Sequence, residues 1–125
     1  MTPRIALPLA CTLALAACAS TPRSAPLGMP LRLEAGVPVA LPGAATLAYL
    51  GLREDSRCPR RVMCVHAGSV VLDFRHASAA APPRTVSLRA PQAMALQLDG
   101  VRVTLVDLAA ADARGVTVRI DAASP

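Results

Sequence analysis

The chain has no lysine and no tryptophan, and only one tyrosine and one phenylalanine in 125 residues. Aromatic side chains make up 2% of it, so the stacking platforms that bind unpaired bases are missing. All thirteen basic residues are arginine, against eight acidic ones, for a net charge of +5. That balance could draw a polyanion. Without aromatics, in a chain that reads as exported, it points away from nucleic acid and towards weak attraction to anionic head groups or cell-surface polymers. Arginine without lysine, beside abundant alanine, is also what a codon-biased genome writes. Beyond Cys18 no apolar run is long enough to span a membrane, and no internal repeat is visible. Gly-x-Ser-x-Gly, His-Glu-x-x-His and a phosphate loop are all absent. Asp73 lies near His76, and Ser56 and Ser69 offer hydroxyls, but nothing in the sequence orients them into a triad. The expectation is a protein that is not an enzyme and takes no cofactor.

What is present begins with a short export signal. Arg4 supplies the positive charge, and Ile5 to Ala17 is apolar apart from Thr12. About 13 residues is too short for a hydrocarbon core that needs roughly 20 helical ones. The run ends in Leu15-Ala16-Ala17-Cys18, which resembles a bacterial lipobox. That resemblance implies cleavage before Cys18, lipid on its sulfur and acylation of the new N-terminus. Several acyl chains exceed the marginal hold of one. Ala19, rather than Asp, after the cysteine implies sorting to the outer membrane, facing the periplasm. The membrane is then a partner through Cys18, and Cys11 leaves with the signal.

Removing residues 1–17 leaves 108 residues, enough for one modest domain. Residues 18–30 are rich in Pro, Ser, Thr and Ala and read as a disordered tether. Residues 31–121 read as the domain, and 122–125 as a frayed tail. Within the domain the apolar period is two. Leu31 and Leu33 alternate with Arg32 and Glu34, and Val37, Val39 and Leu41 follow at odd positions. Leu50 and Leu52 share a face of the run from Ala45 to Glu54. Val70, Leu72 and Phe74 alternate with Val71, Asp73 and Arg75, and Val86 and Leu88 with Thr85, Ser87 and Arg89. Leu96 and Leu98, then Val101, Val103 and Leu105, flank Asp99-Gly100, a two-residue hairpin signal. Val116, Val118 and Ile120 close the pattern. Seven or eight short strands predict an all-β fold, a small antiparallel sandwich or barrel. The alanines of Leu105–Arg114 favour helix locally, enough for a single turn.

The densest stretch is Arg53 to Gly68, which separates two of these strands. Cys58 and Cys64 stand five residues apart, and in an exported chain a disulfide is the default. Closing so short a loop stabilises by roughly 2–2.5 kcal/mol. Arg53, Arg57, Arg60 and Arg61 form a basic cluster. Asp55 and Ser56 can cap the turn, and Arg57 can pair with Asp55 or Glu54. Cys58, Cys64, His66 and His76 fit no common zinc spacing, and thiolate ligation would need reduced sulfurs. Met63-Cys64-x-His66 has the softness of a copper site, but Met63 reads better as half-buried packing.

Asp55-Ser56-Arg57-Cys58-Pro59, with Val62, Cys64, Val65 and Ala67-Gly68, resembles the motif D-S-R-C-P-x-G-V-x-C-[IV]-W-A-G. That motif marks an uncharacterised family of small bacterial exported and lipoprotein β-domains. The resemblance covers about 14 residues and implies no activity. Arg61 stands where the motif has glycine, and His66 where it has tryptophan. The expected function is a lipid-anchored envelope domain with a structural or protein-interaction role. Asp55, Arg57, Arg60, Arg61 and His66 are the candidate binding residues, and an envelope protein is the candidate partner. The alternative is a domain that binds a small ligand or metal through the Cys58–Cys64 loop.

Overall fold

Period-two alternation resolves into two sheets whose apolar faces meet. The computed structural model describes Ala16 and residues 18–123. The expected signal peptide, apart from Ala16, lies outside those residues, as do the last two of the tail. The larger sheet has the order β1 (Arg23–Ser24), β3 (Val39–Leu41), β4 (Ala45–Asp55), β5 (Val70–Ser78) and β6 (Ala81–Ala90). The smaller has the order β2 (Pro30–Glu34), β9 (Gly115–Ala122), β8 (Val101–Leu105) and β7 (Ala95–Leu98). Neighbours are antiparallel except β1 and β3. The described residues thus form nine strands and no helix, in a sandwich rather than a closed barrel.

The core is one cluster drawn from both sheets. Leu47, Tyr49, Leu72 and Phe74 meet Leu33, Val103, Val116, Val118 and Ile120, all essentially solvent-free. Burying each such side chain stabilises by about 1.5–3 kcal/mol. Tyr49 and Phe74 are cross-strand partners, with ring centroids 5.5 Å apart and planes tilted by 53°. The outer face of the larger sheet is polar. Arg53 bonds Asp73 and Ser87 there, and Arg89 pairs with Glu54 at 3.0 Å across Val71. That covering explains why Val71 is buried although it alternates with the core positions.

Two expectations need correction. Leu50 and Leu52 do not share a buried face. The register between β4 and β5 slips at Tyr49/Gly51, a bulge that leaves Leu50 exposed while Leu52 packs against the core. The alanine-rich segment after Leu105 forms the expected single turn, with the Ala111 N–H on the Leu108 carbonyl at 3.2 Å, and no helix. So short a run cannot offset the cost of a longer helical nucleus, and the Leu108, Ala111 and Asp112 carbonyls also take side-chain donors. Residues 18–30 are not all tether. Arg23 and Ser24 pair with Val39 and Ala40, and Leu27 and Gly28 reach Ile120 on β9. Backbone hydrogen bonds to open strand edges order the segment, and Ala25 packs against the core. Asp99 and Gly100 do form the two-residue turn between β7 and β8, with Gly100 at φ +87°.

The Tyr49 hydroxyl donates to the Asp112 backbone carbonyl at 2.7 Å. Burial, reinforced by the Asp112 carboxylate, pushes its pKa up from 10.0 to about 12. A raised folded pKa means stability that is complete below pH 10 and falls as pH rises to about 12. With no lysine and a single tyrosine, no other described side chain ordinarily titrates in that window once the cysteines are paired or modified. Tyrosinate absorbance of the folded protein should therefore show one transition near 12, and Tyr49→Phe should flatten the stability loss above pH 10.

Candidate functional site

The connection between β4 and β5 is a long hairpin with a latched base. Ser56 N–H donates to the Ser69 carbonyl at 2.8 Å, and Cys58 N–H to that of Ala67 at 3.2 Å. The Ser56 hydroxyl donates to the Ser69 carbonyl and accepts from the Ser69 N–H. The chains approach so closely that a Cβ on Gly68 would collide with the Ser56 carbonyl, and Gly68 sits at φ +76°. Further out, Cys58 and Cys64 are joined in the expected disulfide, with Cα atoms 5.9 Å apart. Val62 N–H closes a turn onto the Pro59 carbonyl inside that ring.

Arg57 ties this hairpin to the opposite sheet. Its Nε and Nη2 donate to the two Asp55 carboxylate oxygens at 2.9 and 2.7 Å. The same guanidinium donates from Nη1 to the Leu108 carbonyl at 2.8 Å and from Nη2 to that of Ala111 at 2.9 Å. Asp55 also accepts from the Arg57 backbone N–H. These hydrogen bonds hold the Asp55 carboxyl below its usual range, and the carboxylate raises the guanidinium's already high pKa. The segment they grip, residues 106–114, is held again by Tyr49. It caps itself through Asp112, whose carboxylate accepts from the Arg114 and Gly115 N–H groups and is lowered in pKa by them.

The candidate residues therefore divide. Asp55 and Arg57 are committed to each other and to backbone, far beyond the weak surface pair expected of them. Arg53 belongs to the outer face of the sheet. Arg60, Arg61 and His66 are exposed on the loop, and among the described residues Arg60 and Arg61 have no carboxylate in ion-pair reach. Met63 is not half-buried; it is 100% exposed, and Val65 beside it is 94% exposed. His76 faces the core from β5 while Asp73 faces out, so the two form no dyad. The Ser56 hydroxyl is spent on the latch, and the Ser69 hydroxyl accepts from Arg89 Nη1. Among the described residues no group of three or more His, Cys, Asp or Glu could hold a metal ion.

Beside the loop base lies an open groove of about 740 Å3, lined by Arg60, Ala67, Gly68, Pro91, Leu108 and Ala109, among others. Pro91 and the 106–114 segment were not foreseen as neighbours of the loop. One signal for the segment was available: a lone buried tyrosine needs a partner for its hydroxyl. That partner is a backbone carbonyl, which no residue type announces.

Arg57→Lys should lower stability by about 2 kcal/mol in denaturant unfolding, because an ammonium cannot span a carboxylate and two carbonyls in one plane. Arg60→Ala, at an exposed position, should change it by less than about 0.5 kcal/mol. Arg61 adopts φ +68°, the left-handed region that favours glycine, at the position where the motif has glycine. Arg61→Gly should raise stability by about 0.5 kcal/mol, relief of strain exceeding the added freedom of the unfolded chain.

Comparison with protein-family models, with curated proteins and with solved structures finds no match for this chain.

Proposed function

We propose that the chain is a lipid-anchored protein of the bacterial outer membrane, facing the periplasm, whose β-sandwich makes non-catalytic contacts through the Cys58–Cys64 loop. One observation carries the reading: the loop is rigid at its base and uncommitted at its tip. Arg57, Asp55, Ser56 and Ser69 spend their polar groups inside the protein. Arg60, Arg61 and His66 lie exposed beyond them. A loop already fixed in the free protein loses little entropy on binding, so its exposed groups convert more of their contact energy into affinity. The disulfide fits an oxidising compartment. It also occupies both sulfurs, which weighs against thiolate ligation of a metal.

A second reading is favoured by the groove at the loop base. Its lining combines apolar Ala67, Ala90, Pro91 and Leu108 with Arg60, while Asp55 is neutralised by Arg57, which suits a small amphipathic anion. Arg60→Ala would weaken such binding without altering the anchor.

The anchor is tested through Cys18, which is exposed and unpaired in the described structure. Cys18→Ser should move the protein from the membrane to the soluble fraction, and the wild-type mass should include acyl chains. An unchanged distribution, or a wild-type mass without acyl chains, would sink the reading.

A further inference from the structure

The outermost part of the loop is apolar. Val62, Met63 and Val65 are 56%, 100% and 94% exposed, the first two within the disulfide ring and Val65 just after it, above the latched base. Scattered exposed apolar side chains are ordinary, but three within four residues at the tip of a braced hairpin are a concentrated surface. Arg60 and Arg61 flank them, and no acidic residue occurs between Ser56 and Ser69. Apolar side chains at the extremity with arginines beside them match the boundary of an anionic bilayer, where acyl chains lie beneath phosphate head groups.

The strand register says which way this tip points relative to the rest of the chain. β4 runs from Ala45 to Asp55 and so leads to the tip. β1 runs the other way, with Arg23 beside Val39 and Val39 beside Leu47. Traced backwards from Arg23, the chain therefore heads towards the tip end of the sandwich. Ser20, Thr21 and Pro22 follow that course, lying with Glu34 and Val37 around one depression. Residue 18 and the loop thus lead to the same end of the molecule.

We propose that the tip of the Cys58–Cys64 loop is a membrane contact: Val62, Met63 and Val65 enter the head-group boundary of an anionic lipid surface, and Arg60 and Arg61 meet its phosphates. The inference rests on the lipid anchor for its direction, since lipid on Cys18 would hold this end of the sandwich against the bilayer. A convex tip of fully exposed side chains suits a deformable surface, with no partner-shaped recess required.

The test uses the full chain carrying Cys18→Ser, so that the loop is read without lipid. It is sedimented with vesicles of phosphatidylcholine alone and of phosphatidylcholine mixed with phosphatidylglycerol, at low and high salt. Binding is expected to the anionic vesicles only, and to weaken with salt. Met63→Ser with Val65→Ser should reduce affinity about tenfold, as should Arg60→Ala with Arg61→Ala. Only the arginine pair should also flatten the salt dependence. Unchanged thermal unfolding and an intact Cys58–Cys64 peptide link confirm that each variant is folded. Failure of the Cys18→Ser protein to bind anionic vesicles, or equal binding by the Met63 and Val65 variant, overturns the proposal. So does capture of an envelope protein that depends on Met63 and Val65 in the absence of vesicle binding. The anchor is judged separately, by the mass of the wild-type protein: an unacylated wild type whose loop still binds anionic vesicles sinks the anchor and leaves the loop contact standing.

Discussion

One guanidinium joins the parts of this protein that strand pairing leaves separate. Arg57 stands just beyond β4, yet it bonds carbonyls of the segment between β8 and β9. Arginine is suited to the position because its donors lie in one plane and diverge. One edge takes a carboxylate while the remaining hydrogens reach two carbonyls. Asp55 supplies the countercharge that makes a partly desolvated cation tolerable so close to the core. Tyr49 repeats the arrangement from inside, its ring against Phe74 and its hydroxyl on Asp112. Three carbonyls, at Leu108, Ala111 and Asp112, are thus met by side chains on or just beyond β4.

The rigidity gained at one end of the sandwich is spent unevenly along the hairpin. Near the sheet, each polar group has a protein partner, and Gly68 permits a backbone approach that no other residue could make. Beyond Cys58, among the described residues, the cross-links are the disulfide and one turn hydrogen bond. Arg61 is held there in a conformation unfavourable for its type. The ring tolerates that cost because its closure no longer depends on the turn's own propensity. The result is a hairpin braced at its base whose end carries exposed side chains.

The core makes a contrasting use of polar groups. His76 is buried on the inward face of β5, and its Nε2 has no hydrogen-bond partner among the described residues. Its Nδ1 lies 4.0 Å from the Asp99 carboxylate, at the turn between β7 and β8. An unpartnered buried nitrogen subtracts from stability. It sits at the end of the sandwich away from the loop, so the two features are independent.

Much of the fold follows from the sequence by itself, because strand alternation is a local property. Leu72 and Phe74 face inward, as do Val101, Val103 and Leu105, for the reason their spacing suggests. Asp99-Gly100 turns the chain because those residue types accept the backbone it needs. The Cys58–Cys64 link was likewise readable from separation and the expected compartment. Tertiary structure alone decided the rest. Leu50 is exposed because a bulge against β5 shifts the register, and bulges depend on the partner strand. Arg23 and Ser24 are ordered because β3 offers them an open edge. Arg57 was readable as a charge but not as a clamp, since its carbonyl partners lie 51 and 54 residues away and carry no side-chain signature. Hydrophobic pattern reports which face of an element is buried; the pairing of backbone groups between distant segments exists only once the sheets have packed.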